Sequence, residues 1–105
     1  MLPKENRLSR KDIESLKSQR KPVFQGKFFG LVFSMSNDNK FALILPKKLV
    51  SRAVDRNFLR RKFFIAISEI TNKKNGHYLF LAKKGLEKSS SEEIKIDLET
   101  LINKI

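Results

Sequence analysis

The segment from Phe28 to Met35 is a run in which large apolar residues recur at every second position. Phe29, Leu31 and Phe33 fall on one side of this pattern, and a period of two predicts a β-strand with one strongly apolar face. Such a strand is stable only when other strands satisfy its backbone and other elements cover the apolar face. We therefore expect a sheet with helices packed against it.

The rest of the chain supplies suitable partners for this strand. A turn at residues 36–39 and a short apolar run at residues 41–45 favour an antiparallel hairpin. In chain order we predict a helix from Ser9, strands at 28–35 and 41–45, a helix at 50–70, a strand at 77–82 and a helix at 91–105. One more short strand is expected around residues 22–26. This α-β-β-α-β-α order predicts an α/β (α+β) two-layer sandwich built on one mixed sheet.

Local signals mark the starts of the first and last helices. Ser9 and Asp12, and again Ser90 and Glu93, have the spacing of a capping box, in which two side chains satisfy backbone donors reciprocally. In the long helix Val50, Val54 and Phe58 recur at helical spacing, so we expect them to face the core.

Charge separates this chain from most domains of its size. Its 105 residues suit a single domain, and they carry a net charge of +12, with 23 basic against 11 acidic residues. Residues 86–105 have a net charge of −2, which leaves +14 on residues 1–85. An excess of this size favours a polyanionic partner, of which nucleic acid is the commonest.

Other features narrow the class of protein. The chain has no cysteine, which excludes disulfides and thiolate metal sites. It has no apolar stretch near the ~20 residues of a membrane span, and residues 1–7 lack the apolar core of a signal peptide. We expect a cytoplasmic protein with no membrane association and no obligate protein partner.

The basic residues are concentrated around the long helix. Asp55 is the only acidic residue within 47–62, so a face that forms internal ion pairs is disfavoured. Arg52, Arg56 and Arg60 are spaced four apart, which predicts one ridge of arginines along the helix. The ~6 Å step between them suits successive phosphates of a nucleic-acid strand. An asparagine beside them can bond a base edge or a 2′-hydroxyl. The predicted RNA-binding residues are Lys47, Lys48, Arg52, Arg56, Asn57, Arg60, Arg61 and Lys62.

Catalytic groups are scarce by comparison. His77 is the only histidine and is interpreted as a polar residue at a strand end rather than as a base. No metal-ligand cluster, Ser/His/Asp set or glycine-rich phosphate loop is visible in the sequence. These observations disfavour a stand-alone nuclease, and no catalytic, metal or cofactor site is predicted in the protein.

The run from Ala53 to Arg61, Ala-Val-Asp-Arg-Asn-Phe-Leu-Arg-Arg, is similar to the Arg-Asn signature of the bacterial ribonuclease P protein family. The preceding Pro46–Val50, the opening Leu2-Pro3-Lys4 and the segment Phe80–Gly85 before an acidic final helix also resemble that family. Where the family's basic helix commonly continues with arginines, this chain has Phe64 and Ser68, which implies a shorter basic ridge.

The resemblance implies a specific role. The protein would be the accessory subunit of a ribonucleoprotein endoribonuclease, with a left-handed β-α-β crossover through the long helix. The signature helix would dock on ribonuclease P RNA, and Mg²⁺ ions on that RNA would remove the 5′ leader of precursor tRNA hydrolytically. A cleft between the sheet and the first helix would hold the single-stranded leader. The candidate cleft residues are Ile13, Lys27, Phe29 and Phe33, of which the aromatic rings could stack on unpaired bases.

Two other hypotheses share the charge argument. A general RNA-binding or ribosomal protein of similar topology would not need the Arg-Asn signature. A module that binds anionic membranes is disfavoured, because the basic helix lacks a clean apolar face and the chain has no Trp.

Overall fold

The structure, a computed structural model, describes residues 7–18, 23–70 and 73–105. Its helices are α1 (Arg10–Ser18), α2 (Ala53–Glu69) and α3 (Ser91–Ile102), and a 3₁₀ turn spans Leu86–Lys88. Its strands are β1 (Phe24–Gln25), β2 (Phe29–Met35), β3 (Lys40–Ile44) and β4 (Gly76–Ala82). The predicted order of elements, including the extra short strand, is confirmed. The Leu2-Pro3-Lys4 segment lies outside the described residues.

The four strands form one mixed sheet in the order β1-β2-β4-β3. β4 pairs antiparallel with β2, with Leu31 opposite Phe80, and parallel with β3, with Phe41 opposite Tyr78. The predicted hairpin between β2 and β3 is therefore wrong, since β4 lies between them. β4 is apolar on both faces, and Tyr78, Leu79 and Phe80 are all fully buried. A strand of that kind is most stable in the middle of a sheet.

The two faces of the sheet carry separate apolar clusters. On one face Phe29, Leu31 and Phe80 pack with residues of α2 and α3 to form the main core. On the other face Val32 and Leu79 pack beneath Leu8 and Leu16, and that cluster also includes Ala42. The sandwich of sheet and helices is confirmed, with α1 adding a short layer on the opposite face.

Both predicted helix caps are present. In α3 the Ser90 hydroxyl accepts from the Glu93 backbone nitrogen at 3.1 Å, and Glu93 accepts from the Ser90 nitrogen at 3.0 Å. Ser9 and Asp12 make the same reciprocal pair at the start of α1, at 3.3 and 3.2 Å. These hydrogen bonds satisfy backbone donors that have no partner within the helix.

The buried face of α2 differs from the prediction. The helix begins at Ala53, so Val50 reaches the core from the preceding loop. Val54 and Phe58 are 69% and 56% exposed, and the prediction that they face the core is wrong. The reason is that helical spacing alone allows two apolar stripes here, and the more continuous one is buried. That stripe consists of Leu59, Phe63, Ala66 and Ile67.

Candidate nucleic-acid interface

A tight turn leads from β3 into α2 and presents two lysines. The backbone nitrogens of Leu49 and Val50 donate to the carbonyl oxygen of Pro46 at 3.1 and 3.3 Å. Val50 is buried, which anchors the turn to the core, while Lys47 and Lys48 are exposed. The lysines therefore project from a fixed turn beside the start of the basic helix.

The predicted ridge of three arginines is divided among three environments. Arg56 is half-buried, and its Nη1 donates to the carbonyl oxygens of Val50 at 3.0 Å and Ser51 at 2.8 Å. Arg52 precedes the helix, and its Nε lies 3.9 Å from Asp55, an exposed pair of little energetic value. Arg60 lies one helical turn after Arg56 and is exposed. Arg56 thus orders the loop before α2, whereas Arg60 makes no hydrogen bond of this kind within the described residues.

A cleft of about 420 Å³ opens between α1, the edge of β3 and α2. On the α2 side it is lined by Asn57, Arg60, Arg61 and Phe64, which the 3.6-residue repeat places on one face. The opposite wall and the floor are supplied by Arg7, Leu8, Ile13, Phe41, Ala42 and Leu43. The Leu8 nitrogen donates to the Phe41 carbonyl oxygen at 3.0 Å, which fixes the wall against the strand.

The lining of this cleft is chemically suited to a nucleic-acid strand. Among the described residues around it are three arginines, Arg7, Arg60 and Arg61, and no acidic side chain. Guanidinium groups donate paired hydrogen bonds to phosphate oxygens. Ile13 and Phe64 offer apolar surface to base faces, and Asn57 offers an amide to a base edge or a 2′-hydroxyl.

The family model described as Ribonuclease P matches residues 2–105, which is almost the whole chain. The chain belongs to the ribonuclease P protein family. Membership gives it the role of a protein subunit of the endoribonuclease that processes the 5′ end of tRNA. The general RNA-binding or ribosomal alternative is not favoured. No curated protein sequence gives a significant match.

Solved structures of ribonuclease P proteins share the fold. The protein from Thermotoga maritima aligns with a TM-score of 0.82 at 18% identity, covering 94% of this chain and 96% of that one. The protein from Staphylococcus aureus aligns with a TM-score of 0.81 at 15% identity, covering 95% and 94%. At these identities the likeness concerns the fold, so the family assignment depends on the sequence match.

Within this ribonuclease P fold, only one of the four predicted leader-cleft residues lies in the cleft. Ile13 lines it, whereas Phe29 is fully buried against Phe63 and Phe80 on the α2 face of the sheet. The prediction that Phe29 lines an open cleft is therefore wrong. Alternation explains the error, since the odd-numbered residues of β2 point towards α2 and α3.

The other two candidates also lie elsewhere. Phe33 is half-buried against Tyr78, with ring centroids 4.8 Å apart, on the same face as Phe29. Lys27 is exposed at the turn between β1 and β2, and its Nζ lies 5.2 Å from the Phe28 ring centroid. The structure brings neither residue to the cleft.

Six of the ten residues that line the cleft were not predicted as site residues, and Arg7 and Phe64 are two of them. Arg7 precedes the first helix, and its backbone makes an isolated parallel bridge to Phe41 that no local pattern signals. Phe64 follows Asn57 by seven residues, so helical spacing from the signature could have placed it on the same face. The lining of the cleft thus combines one local pattern with one long-range pairing.

His77 belongs to a polar cluster outside the cleft. Its Nε2 lies 3.0 Å from Asp38 Oδ1, and Lys40 Nζ lies 3.6 Å from Asp38 Oδ2. The hydroxyl of Ser36 donates to Asp38 at 2.7 Å. That hydrogen bond, followed by the one with His77, lowers the pKa of the Asp38 carboxyl from 3.8 to about 2.

The described part of the chain holds neither a metal-binding cluster nor a membrane-spanning helix. Within residues 7–18, 23–70 and 73–105, no group of three or more His, Asp or Glu side chains is arranged to hold a metal ion. In the same residues no helix has the length and apolar character needed to cross a bilayer.

Proposed function

We propose that this subunit binds ribonuclease P RNA through the turn at Lys47 and Lys48 and the basic faces of α2. In this proposal the RNA carries the hydrolytic chemistry with its bound Mg²⁺ ions, and the protein screens phosphate repulsion. The 5′ leader of precursor tRNA lies in the cleft between α1 and α2. The protein acts in the cytoplasm, where precursor tRNA is made.

The observation that supports this proposal best is the composition of the cleft. The signature residues Asn57, Arg60 and Arg61 line the same cleft as Ile13 of α1. In this proposal the signature helix contacts both the catalytic RNA and the leader. A single-stranded leader suits the cleft, because its bases are unpaired and free to pack on apolar walls.

Reconstitution tests the proposal directly. Purified protein would be mixed with a bacterial ribonuclease P RNA and a 5′-extended precursor tRNA at low magnesium, and cleavage compared with that by RNA alone. We expect stimulation by the wild-type protein and its loss in an Arg60→Ala/Arg61→Ala variant. A Lys84→Ala/Lys88→Ala variant is the matched control, because it removes the same charge from two exposed residues outside the cleft.

The outcomes separate the two hypotheses. A folded protein that binds RNA but gives no stimulation would support a general RNA-binding protein and contradict our proposal. Equal losses in the two double variants would show that total charge matters and that the cleft has no special part. Loss confined to the Arg60/Arg61 variant supports the assignment of the cleft.

A further inference from the structure

One face of α2 carries large apolar residues that nothing in the described structure covers. Val54, Phe58 and Ile65 are 69%, 56% and 49% exposed, and their spacing of four and seven places them on a single stripe. Leu59 and Phe63 belong to the buried face of the same helix. The stripe therefore does not contribute to the core, and an exposed phenylalanine on it calls for a separate explanation.

The ring of Phe58 is held in a basic environment. The Nζ of Lys62 lies 4.6 Å from its centroid, which is the geometry of a cation–π interaction. Arg61 follows Phe58 by three residues and precedes Ile65 by four, so it borders the stripe. Phe58 lines a groove of about 500 Å³ whose charged lining residues are Arg52, Asp55, Lys62 and Glu87. The groove thus holds two basic and two acidic side chains, and Arg61, which borders the stripe, adds a third positive charge.

We propose that Phe58 is a stacking platform for an unpaired base of the RNA partner, with Lys62 and Arg61 contacting the flanking phosphates. The inference rests on the proposed function and adds a site outside the cleft, since Phe58 is not among the cleft residues. An aromatic ring with adjacent cations matches single-stranded nucleic acid, in which π-faces alternate with phosphates. A docked protein segment is disfavoured, because the excess of positive charge beside the ring suits a polyanion better than a neutral apolar surface.

The Phe58 site lies on a different face of α2 from the cleft, so it would have a different role. Asn57 and Phe64 face the cleft, whereas Val54 and Phe58 lie on the neighbouring face of the helix. One helix therefore presents two surfaces to nucleic acid, and Arg61 lies between them. The stacked base would fix the rotation of α2 on the catalytic RNA, so that the cleft faces the leader.

A tryptophan at position 58 offers a direct readout, since the chain contains no Trp. We would measure the indole fluorescence of Phe58→Trp as bacterial ribonuclease P RNA is added, because a base stacked on an indole quenches it. Ile65→Trp is the matched control on the same face of the helix. Inorganic polyphosphate is the control ligand, because it neutralises charge and carries no bases.

We expect ribonuclease P RNA to quench Phe58→Trp more strongly than Ile65→Trp, and polyphosphate to quench neither. Phe58→Leu, which keeps an apolar side chain but removes the ring, should weaken RNA binding by about fivefold or more at an unchanged salt dependence. Because residue 58 is exposed, these variants should keep the wild-type unfolding transition.

The results also distinguish this inference from the proposed function. If wild-type protein binds and stimulates the RNA while Phe58→Leu binds equally well, the stacking site is overturned and the proposed function stands. Equal quenching at positions 58 and 65, or quenching by polyphosphate, would likewise overturn stacking. If the wild-type protein neither binds nor stimulates the RNA, both conclusions fail together.

Discussion

The carboxylate of Asp97 accepts a hydrogen bond from the backbone nitrogen of Phe28 at 3.0 Å, across 69 positions of the chain. The same carboxylate accepts from the nitrogens of Lys27 at 2.7 Å and Phe29 at 3.1 Å. A Cβ atom on Gly26 would lie 2.8 Å from it, so the close approach requires glycine there. This single acid of α3 fixes the turn between β1 and β2.

The first prediction concerns the replacement of Asp97. Asp97→Asn keeps the shape but replaces one accepting oxygen by a donor, leaving buried backbone nitrogens without a partner. We expect the free energy of unfolding to fall by about 2–3 kcal/mol in urea titrations. Glu99→Gln, an exposed change on the same helix, is the control and should alter stability by less than about 0.5 kcal/mol. Equal effects would contradict the anchoring role.

Arg56 and Arg60 should differ in what they affect. Because Arg56 holds two loop carbonyls, Arg56→Ala should lower both the free energy of unfolding, by about 1–3 kcal/mol, and the affinity for ribonuclease P RNA. Arg60→Ala should lower the affinity alone, because Arg60 is exposed in the cleft. Thermal unfolding and RNA titration of each variant distinguish these effects. A stable Arg56→Ala protein with reduced affinity would assign Arg56 to direct RNA binding.

The cleft should contribute a measurable part of the salt dependence. If Arg60 and Arg61 each neutralise a phosphate, the Arg60→Ala/Arg61→Ala variant should have a shallower log–log slope of affinity against salt. The slope should change by roughly 0.7–0.9 for each phosphate that the variant no longer neutralises. Titrations at several salt concentrations, with Lys84→Ala/Lys88→Ala in parallel, provide the comparison. An unchanged slope would mean that these arginines do not bind phosphate.

Replacing Ile13 should weaken binding of the 5′ leader and of no other part of precursor tRNA. We expect Ile13→Ala to weaken binding of precursor tRNA with a long 5′ leader by several-fold, because the smaller side chain offers less apolar surface to unpaired bases. Binding of a substrate with a single leader nucleotide should be unchanged. Phe33→Leu is the control, since Phe33 lies on the other face of the sheet. Equal weakening of both substrates by Ile13→Ala would place the leader elsewhere.

Asp38, which lies between β2 and β3, should make the stability of the protein depend on pH. Its folded pKa of about 2 is below the ordinary value of 3.8, so its contribution to stability is present above about pH 4. That contribution disappears as the pH falls through 2. NMR titration of the carboxyl would show the low pKa, and Ser36→Ala should raise it, because the largest cause is the hydrogen bond from Ser36. Titration near 4 in the wild-type protein would contradict this expectation.

The sequence predicted local features well because they depend on near neighbours. The capping pairs at Ser9 and Ser90 and the order of elements follow from residues a few positions apart. The family signature likewise lies in one continuous run, and its face of α2 lines the cleft.

Features that depend on distant partners were not predictable in the same way. The turn at 36–39 favours a hairpin, yet β4 inserts between the two strands because it is apolar on both faces. Phe58 is exposed and Phe29 is buried because of which elements of the fold pack against each face of α2 and of β2. The two-residue period of a strand shows that its side chains alternate between the two faces of the sheet. It does not show which of the two faces is buried in the main core.

The central place of β4 has a consequence for the order in which the molecule can be assembled. β2 and β3 both pair with a strand that is synthesised after α2, so neither has its main partner until residues 76–82 are made. Until then the signature helix has no complete sheet to pack on, and the residues of its buried face, Leu59, Phe63, Ala66 and Ile67, stay in contact with water. A chain interrupted before residue 76 would therefore present basic charge without an ordered surface, and selective RNA binding should arise only with the completed chain.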